Sequence, residues 1–306
     1  MRPALAPPRT LRYGTGPMLD GVVCLNGDFR PVAEARVSVL DRGFLYGDAA
    51  FEVMRTYGGA PFCEREHLER LARSCDRLGI RLPLDSASLS VEIRQTVERS
   101  GSEECYVRVV VSRGQGPVNL DPATARATTR VVYALPLAPP PATIYEQGIA
   151  LSLIHDLQGA KGSSVGGAKV SNYLPNAMAL REAKGRGSDE AAFVGPCGEV
   201  LEGSTSNVFA VVGGVLRTPP VSAGILAGVT RGLVLDLASE RSLATVQGPL
   251  FPGDLYGAQE VFISSSVREI APVVRVDDVA VGDGKPGPVT KELLRGYRSR
   301  ARAASS

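Results

Sequence analysis

Along this chain of 306 residues, stretches with apolar side chains every three or four positions alternate with stretches rich in β-branched residues. In "EREHLERLARSCDRLG" the apolar positions Leu68, Leu71, Cys75 and Leu78 keep the spacing of one helix face, and Gly79 ends the run. "DSASLSVEIRQTVERSG" repeats that signature, with an Asp/Ser start and a Gly stop. "CYVRVVVSRG" and "TTRVVYALPL" have no helical period and predict strands of a buried sheet. "VVCLNGDFRPV" predicts a hairpin turning at Asn26-Gly27. "RVSVL" reads as a further strand, and "GDAAFEVMRTY" as a short helix or turn-helix element.

The prolines of "PLAPPPAT", residues 136–143, break this alternation, because they favour an extended spacer and cannot continue a sheet ladder. They divide the chain into a tail at 1–19, a smaller domain at 20–137, a linker at 138–145 and a larger domain at 146–306. In the second half "GIALSLI", "EAAFVG" and "EVFISSS" predict strands, and "NVFAVVGGVLRTPP" a hairpin through Gly213-Gly214. "VTRGLVLDLASER" and "VTKELLRGYRSRARA" predict helices. The expected class is α+β in two domains, with the glycine-rich loops in the second.

Composition narrows the function. The 34 Lys+Arg nearly balance 32 Asp+Glu, which leaves no electrostatic footprint for nucleic acid and favours a small-molecule partner. No apolar run is long enough for a bilayer span. The first 18 residues hold three arginines and no acid, as transit peptides do, but four prolines spoil an amphipathic helix, and a disordered tail is expected. Five scattered cysteines form neither a disulfide framework nor a CxxC pair, which suits the cytoplasm. Cys63 and His67 would make only half a metal site, so no metal is expected. With His67 and His155 the only histidines, neither near a recognisable nucleophile, a hydrolytic triad is disfavoured.

Four features of the second half point to one chemistry. Lys169 stands between the glycine-rich "GSSVGGA" and an amphipathic helix, followed by Ser171, Asn172 and Tyr173. A lysine that condenses with a carbonyl must be deprotonated, partly buried and free to swing. Glu202 in "EVLEGSTSNVF" is either a surface turn residue or a carboxylate partner for a ring nitrogen. "ILAGVTRG" places the amides of Val229 and Thr230 at a helix start, where an anion binds or Thr230 acts as an ordinary cap. "FISSSVREI" ends a strand in the hydroxyls of Ser264, Ser265 and Ser266. Together these suit pyridoxal phosphate, an electron sink only while its ring nitrogen stays protonated.

With "DRGFLYGDAAFEVMRTY", "EREHLERL", "AKVSNYLPN", "LEGSTSNVF", "GVTR" and "GPVT", the chain resembles the class IV, fold-type IV pyridoxal-phosphate-dependent aminotransferases. That family includes branched-chain and D-amino-acid aminotransferases and aminodeoxychorismate lyases. The similarity runs from about residue 20 to residue 296. It implies that Lys169 is the Schiff-base lysine and proton shuttle, that Tyr173 bonds the cofactor's phenolic oxygen, and that Glu202 bonds its pyridine nitrogen. It further implies that Arg65 pairs with the phosphate together with Val229, Thr230 and Ser266, and that Leu226 lies against the cofactor. A homodimer follows from the same likeness.

Within the family, "RGQGPVNLDP" is similar to the branched-chain group. Val118 and Leu120 stand where D-specific enzymes carry an Arg and a His for the substrate carboxylate. Phe51 then implies an aromatic wall for the substrate side chain. Arg108 would receive the distal carboxylate of glutamate, with Tyr46 nearby, and Tyr106 and Val267 would line the pocket. The expected reaction is transamination between an L-amino acid, branched-chain by preference, and 2-oxoglutarate. A lyase, a D-amino-acid or amine transaminase, and a non-catalytic pyridoxal-phosphate-binding module stay open as alternatives.

Overall fold

The computed structural model describes residues 21–155 and 166–304. The expected tail at 1–19 and part of the loop before Lys169 lie outside them.

Among the described residues, the first sheet holds β1 (Val22–Leu25), β2 (Asp28–Pro31), β3 (Ala49–Tyr57), β4 (Ala60–Pro61), β5 (Cys105–Ser112) and β6 (Thr129–Pro136). These strands pair antiparallel in the order β2-β1-β6-β5-β3-β4. Helices α1 (Arg42–Tyr46), α2 (Glu64–Leu78) and α3 (Ser86–Ser100) accompany it. Asp85 caps α3 by accepting the Ser88 amide, and Gly79 and Gly101 end α2 and α3 in the left-handed conformation. The apolar stripe of α2 meets Met54, Ile93, Val107 and Val132 in one buried core. Leu71 is fully buried there, so truncation to alanine would cost roughly 2–5 kcal/mol.

The larger sheet comprises β7 (Ile149–Ile154), β8 (Glu190–Val194), β9 (Val200–Gly203), β10 (Asn207–Val212), β11 (Val215–Thr218), β12 (Thr245–Gln247), β13 (Glu260–Ser265), β14 (Glu269–Val276) and β15 (Val279–Ala280). Its order is β12-β11-β10-β13-β14-β7-β8-β9, with β15 on β14. Because β9 also pairs with β10, the strands from β10 round to β9 close into a ring. Around it lie α4 (Ala142–Gln147), α5 (Leu174–Gly185), α6 (Val229–Glu240), α7 (Pro252–Tyr256) and α8 (Pro288–Ala303). Leu153, Ala210, Ile263 and Val273 belong to one core cluster of this sheet. Phe209, Phe262, Leu237 and Tyr297 form another, shared with α6 and α8.

Three local expectations need correction. "GDAAFEVMRTY" is not helical: after α1 it becomes β3, paired along β5 from Ala49↔Ser112 to Arg55↔Tyr106. Its Ala, Glu, Met and Arg favour helix locally, but burial on both faces between neighbouring strands overrides that preference. "RVSVL" forms no strand; Val37, Val39 and Leu40 are exposed and find no partner strand. The proline-rich segment is not extended throughout, since α4 begins at Ala142, just after Pro141, where proline's fixed φ suits a helix start.

Candidate active site

Elements of both sheets line a cavity of about 780 Å³, its walls including Phe51, Tyr106 and Arg108 on one side and Glu202, Thr230 and Ser266 on the other. Lys169 and Tyr173 reach it from the segment leading into α5.

The lysine backbone is pinned rather than loose. Lys169 N donates to Ser74 Oγ of α2 at 3.1 Å, Phe51 N donates to Lys169 O at 3.0 Å, and Ser171 N donates to Ala49 O at 2.9 Å. The residues 169–171 thus lie along the start of β3 as a bridge, Ala50 opposite Val170. Freedom to swing is left to the side chain. Its Nζ stands 3.1 Å from Tyr173 Oη and 4.6 Å from the centre of the Phe51 ring.

Glu202 is not a surface turn residue. It lies in β9 opposite Asn207 of β10, which in turn stands opposite Ser264 of β13. Residues directly opposite share a sheet face, so all three point to the cavity they line. The Leu226 amide donates to Glu202 Oε2 at 2.9 Å, and Asn207 Nδ2 donates to Leu226 O at 3.0 Å, which fixes the carboxylate against the Leu226 loop.

At the start of α6 the N-cap is Gly228, without any side-chain cap, so Thr230 is not the cap. The amides of the first turn have no helical partner and stand next to the cavity, an arrangement able to take an anion. Glycine is required there: a Cβ on Gly228 would lie 2.0 Å from Asn207 Oδ1.

Arg65 does not join this site. Its side chain is 79% exposed and pairs with Glu66. Helical geometry separates it from the cavity face, because five positions turn a helix by about 140° beyond a full turn. Arg70, five positions on, lines the cavity instead. It is buried, bonds Glu52 through Nε and Nη2 at 2.7 Å each, and gives Nη1 to Ala227 O at 3.0 Å, just before α6. Sequence reading missed it; the signal was that Arg70 and Ser74 flank the apolar stripe of α2.

On the opposite wall, Phe51 and Tyr173 meet edge to face with centres 5.0 Å apart, and the Arg108 guanidinium lies 4.0 Å from the Phe51 ring centre. Among the described residues, Arg108 Nε and Ser264 Oγ are buried without a hydrogen-bond partner. Val267 lines the cavity beside Arg268, which pairs with the fully buried Glu190 and donates to Thr205 Oγ1 at 2.8 Å. Arg268 carried no signal in the sequence reading. Tyr46 lies outside the cavity lining, its ring against the Arg42 guanidinium. Val118 and Leu120 are exposed and also outside it.

A lysine amine, an anchored carboxylate and an uncapped helix start surround one cavity, the groups that the sequence singled out. The family model for amino-transferase class IV matches residues 49–276. The chain belongs to that family. It is 36% identical over 276 residues to a putative branched-chain-amino-acid aminotransferase of Methanocaldococcus jannaschii, covering 90% of this chain and 95% of that one. It is 31% identical to D-alanine aminotransferase of Bacillus licheniformis over 89% of this chain and 94% of that one. The branched-chain aminotransferase structure of Escherichia coli superposes with a TM-score of 0.87 at 29% identity, covering 92% and 94% of the two chains. The branched-chain aminotransferase of Thermoproteus uzoniensis, solved with norvaline, gives 0.83 at 30% identity, covering 91% and 93%.

This class IV aminotransferase is therefore a pyridoxal-phosphate enzyme of fold type IV that acts on amino and keto acids. Its cavity suits the cofactor. The uncapped first-turn amides of α6 and the unpartnered Ser264 hydroxyl offer donors, and Glu202 offers a fixed acceptor. Among the described residues no cluster suits a metal ion, and no helix is long and apolar enough to cross a membrane.

Proposed function

We propose that this aminotransferase moves the amino group of an L-amino acid with a branched aliphatic side chain to 2-oxoglutarate. One observation carries the reading. The Phe51 ring centre lies 4.6 Å from Lys169 Nζ and 4.0 Å from the Arg108 guanidinium, whose Nε has no partner. An aliphatic side chain would rest on Phe51, and the distal carboxylate of glutamate would reach Arg108 on the same wall.

In this reading Arg70, Val229, Thr230 and Ser266 hold the cofactor's phosphate, Leu226 packs against its ring, and Tyr173 bonds its phenolic oxygen. Bound there, pyridoxal phosphate supplies the electron sink that makes loss of a proton from the substrate Cα feasible. Glu202 keeps the proton on the ring nitrogen, held for that purpose by the Leu226 amide. Lys169 Nζ would take the proton from the substrate Cα and deliver it to the cofactor's C4′, across the shared nitrogen, acting as general base and then acid. Tyr173 Oη orients the amine, and Phe51 keeps water from it. The amides after Ser266, with Tyr106, hold the substrate's α-carboxylate.

The second reading, a D-amino-acid donor, is favoured by the D-alanine aminotransferase likeness and by the Arg268 guanidinium beside Val267. A panel of L- and D-amino acids with 2-oxoglutarate separates the two. L-leucine, L-isoleucine or L-valine should exceed D-alanine and D-glutamate in kcat/KM by about 100-fold, the ratio expected of a few kcal/mol. A faster reaction with D-alanine would overturn the handedness and leave the transamination standing.

A homodimer accompanies the reading. Val39, Phe44, Val118, Leu120 and Leu174 expose large apolar side chains, a pattern of interaction surfaces. Sedimentation equilibrium should give twice the chain mass at micromolar concentration, and a single-chain mass would refute it.

A further inference from the structure

Directly behind the anion site stands His67, buried on α2 and absent from the roles above. Its Nδ1 is 2.7 Å from Glu52 Oε2, and its Nε2 is 3.3 Å from Ser266 Oγ. Burial pushes the Glu52 carboxyl up, but the Arg70 guanidinium and the hydrogen bonds from Arg70 and His67 bring it down to about 2. Glu52 is therefore an ionised carboxylate that can only accept, and His67 Nδ1 carries the hydrogen. Burial depresses the basicity of His67, with Arg70 and Lys169 adding to the effect and Glu52 opposing it, so the ring is neutral. Its Nε2 then holds a lone pair and accepts from the Ser266 hydroxyl.

A serine hydroxyl has one proton. With that proton turned back to His67, Ser266 presents lone pairs to the cavity where the α6 amides await an anion. A phosphate dianion would meet an acceptor there.

We propose that His67 and Ser266 form a proton relay behind the phosphate site, so that entry of a phosphate dianion draws one proton from solvent onto His67. His67 Nε2–H then donates to Ser266 Oγ, and the Ser266 hydroxyl turns to donate to the phosphate. No covalent bond to carbon or phosphorus changes; one N–H bond forms, and the added charge opposes the dianion. The inference rests on the assignment of the α6 start as the phosphate site.

The other groups around the ring do not substitute for it. Glu52 on β3 and Arg70 on α2 are locked together, and Lys169 faces the ring from the segment before α5. A small adjoining cavity between His67, Thr230 and Ser266 is lined also by Arg55, Cys63 and Tyr297. Burial pushes the Cys63 thiol up to about 12 and raises the Tyr297 phenol, while neighbouring Tyr57, Glu104 and Glu269 keep Arg55 charged against the opposing effect of burial.

The sign follows by linkage. His67 binds its proton more tightly with the dianion present, so phosphate affinity is greatest where His67 is already charged. It weakens by up to about tenfold per pH unit as pH rises above the depressed value of the empty site. The phosphate's own second ionisation, near 6, acts in the opposite direction at lower pH, which places the useful window at about pH 7 to 9.

Pyridoxamine 5'-phosphate is the probe, because it carries the phosphate but no carbonyl for Lys169. Calorimetric titration of cofactor-free protein at pH 7.5, in buffers of different ionisation enthalpy, counts the protons taken up. Wild type should take up about one more proton per ligand than His67→Gln, whose amide donates without titrating, and than Ser266→Ala, which breaks the relay conservatively. Its dissociation constant should also rise more steeply with pH than either variant's. Equal proton uptake in wild type and Ser266→Ala overturns the relay and leaves the cofactor site standing. Failure of wild type to bind the probe overturns both.

Discussion

Replacing Lys169 by alanine should lower the rate of amino transfer by on the order of 10^4-fold, the upper range for removing a positioned general base. It should also abolish covalent retention of the cofactor. Borohydride treatment of the wild-type holoenzyme should bleach its yellow colour and leave a phosphopyridoxyl group on the peptide that carries Lys169. The expectation rests on Nζ being the amine beside Phe51 and Tyr173 in the cavity, with its backbone fixed by Ser74 and Phe51. The fold should survive, because the side chain lies in a cavity rather than in a core. Label on another lysine, or on none, would sink the assignment.

The second large effect is expected at Glu202. Glu202→Gln keeps the shape and is able to accept from the Leu226 amide through its carbonyl oxygen. It removes the negative charge that holds a proton on the ring nitrogen. The half-reaction with a good amino donor should slow by on the order of 10^2 to 10^3, the scale for removing one preorganised electrostatic partner. Cofactor affinity should change little, because the substitution leaves the residues proposed for the phosphate untouched. Single-turnover kinetics indistinguishable from wild type would remove Glu202 from this role.

The spacing of elements and the chemistry of loops were legible before any coordinates, for local reasons. α3 carries its own start and stop signals in Asp85 and Gly101, α2 ends at Gly79, α8 starts at Pro288, and the hairpins at Asn26-Gly27 and Gly213-Gly214 carry turn residues. Lys169, Tyr173, Glu202, Val229, Thr230 and Ser266 were expected together and do line one cavity. What failed depended on neighbours distant in sequence. β3 contradicts its own helix-favouring residues because β5 pairs along its edge and α2 packs against it. "RVSVL" has strand propensity but no partner strand. Arg65 and Arg70 share one helix, and only the direction in which α2 packs decides which guanidinium faces the cofactor site. A helical wheel held the hint: His67, Arg70 and Ser74 form a polar stripe beside Leu68, Leu71 and Cys75, whereas Arg65 lies on the far side. Arg268 gave none, since its value comes from Glu190, brought close only by the closure of the larger sheet.

The backbone hydrogen bond from Phe51 N to Lys169 O ties the wall that carries Phe51 directly to the segment that carries the Lys169 amine. In the proposed reaction, selectivity and proton transfer would thereby be mechanically coupled. Widening the wall by reshaping β3 shifts the base as well, whereas trimming the Phe51 ring alone leaves it in place. Evolution of new substrate ranges on this scaffold is accordingly steered towards side-chain exchange at a fixed backbone, with the first strand of the wall acting as the datum from which the catalytic amine is measured.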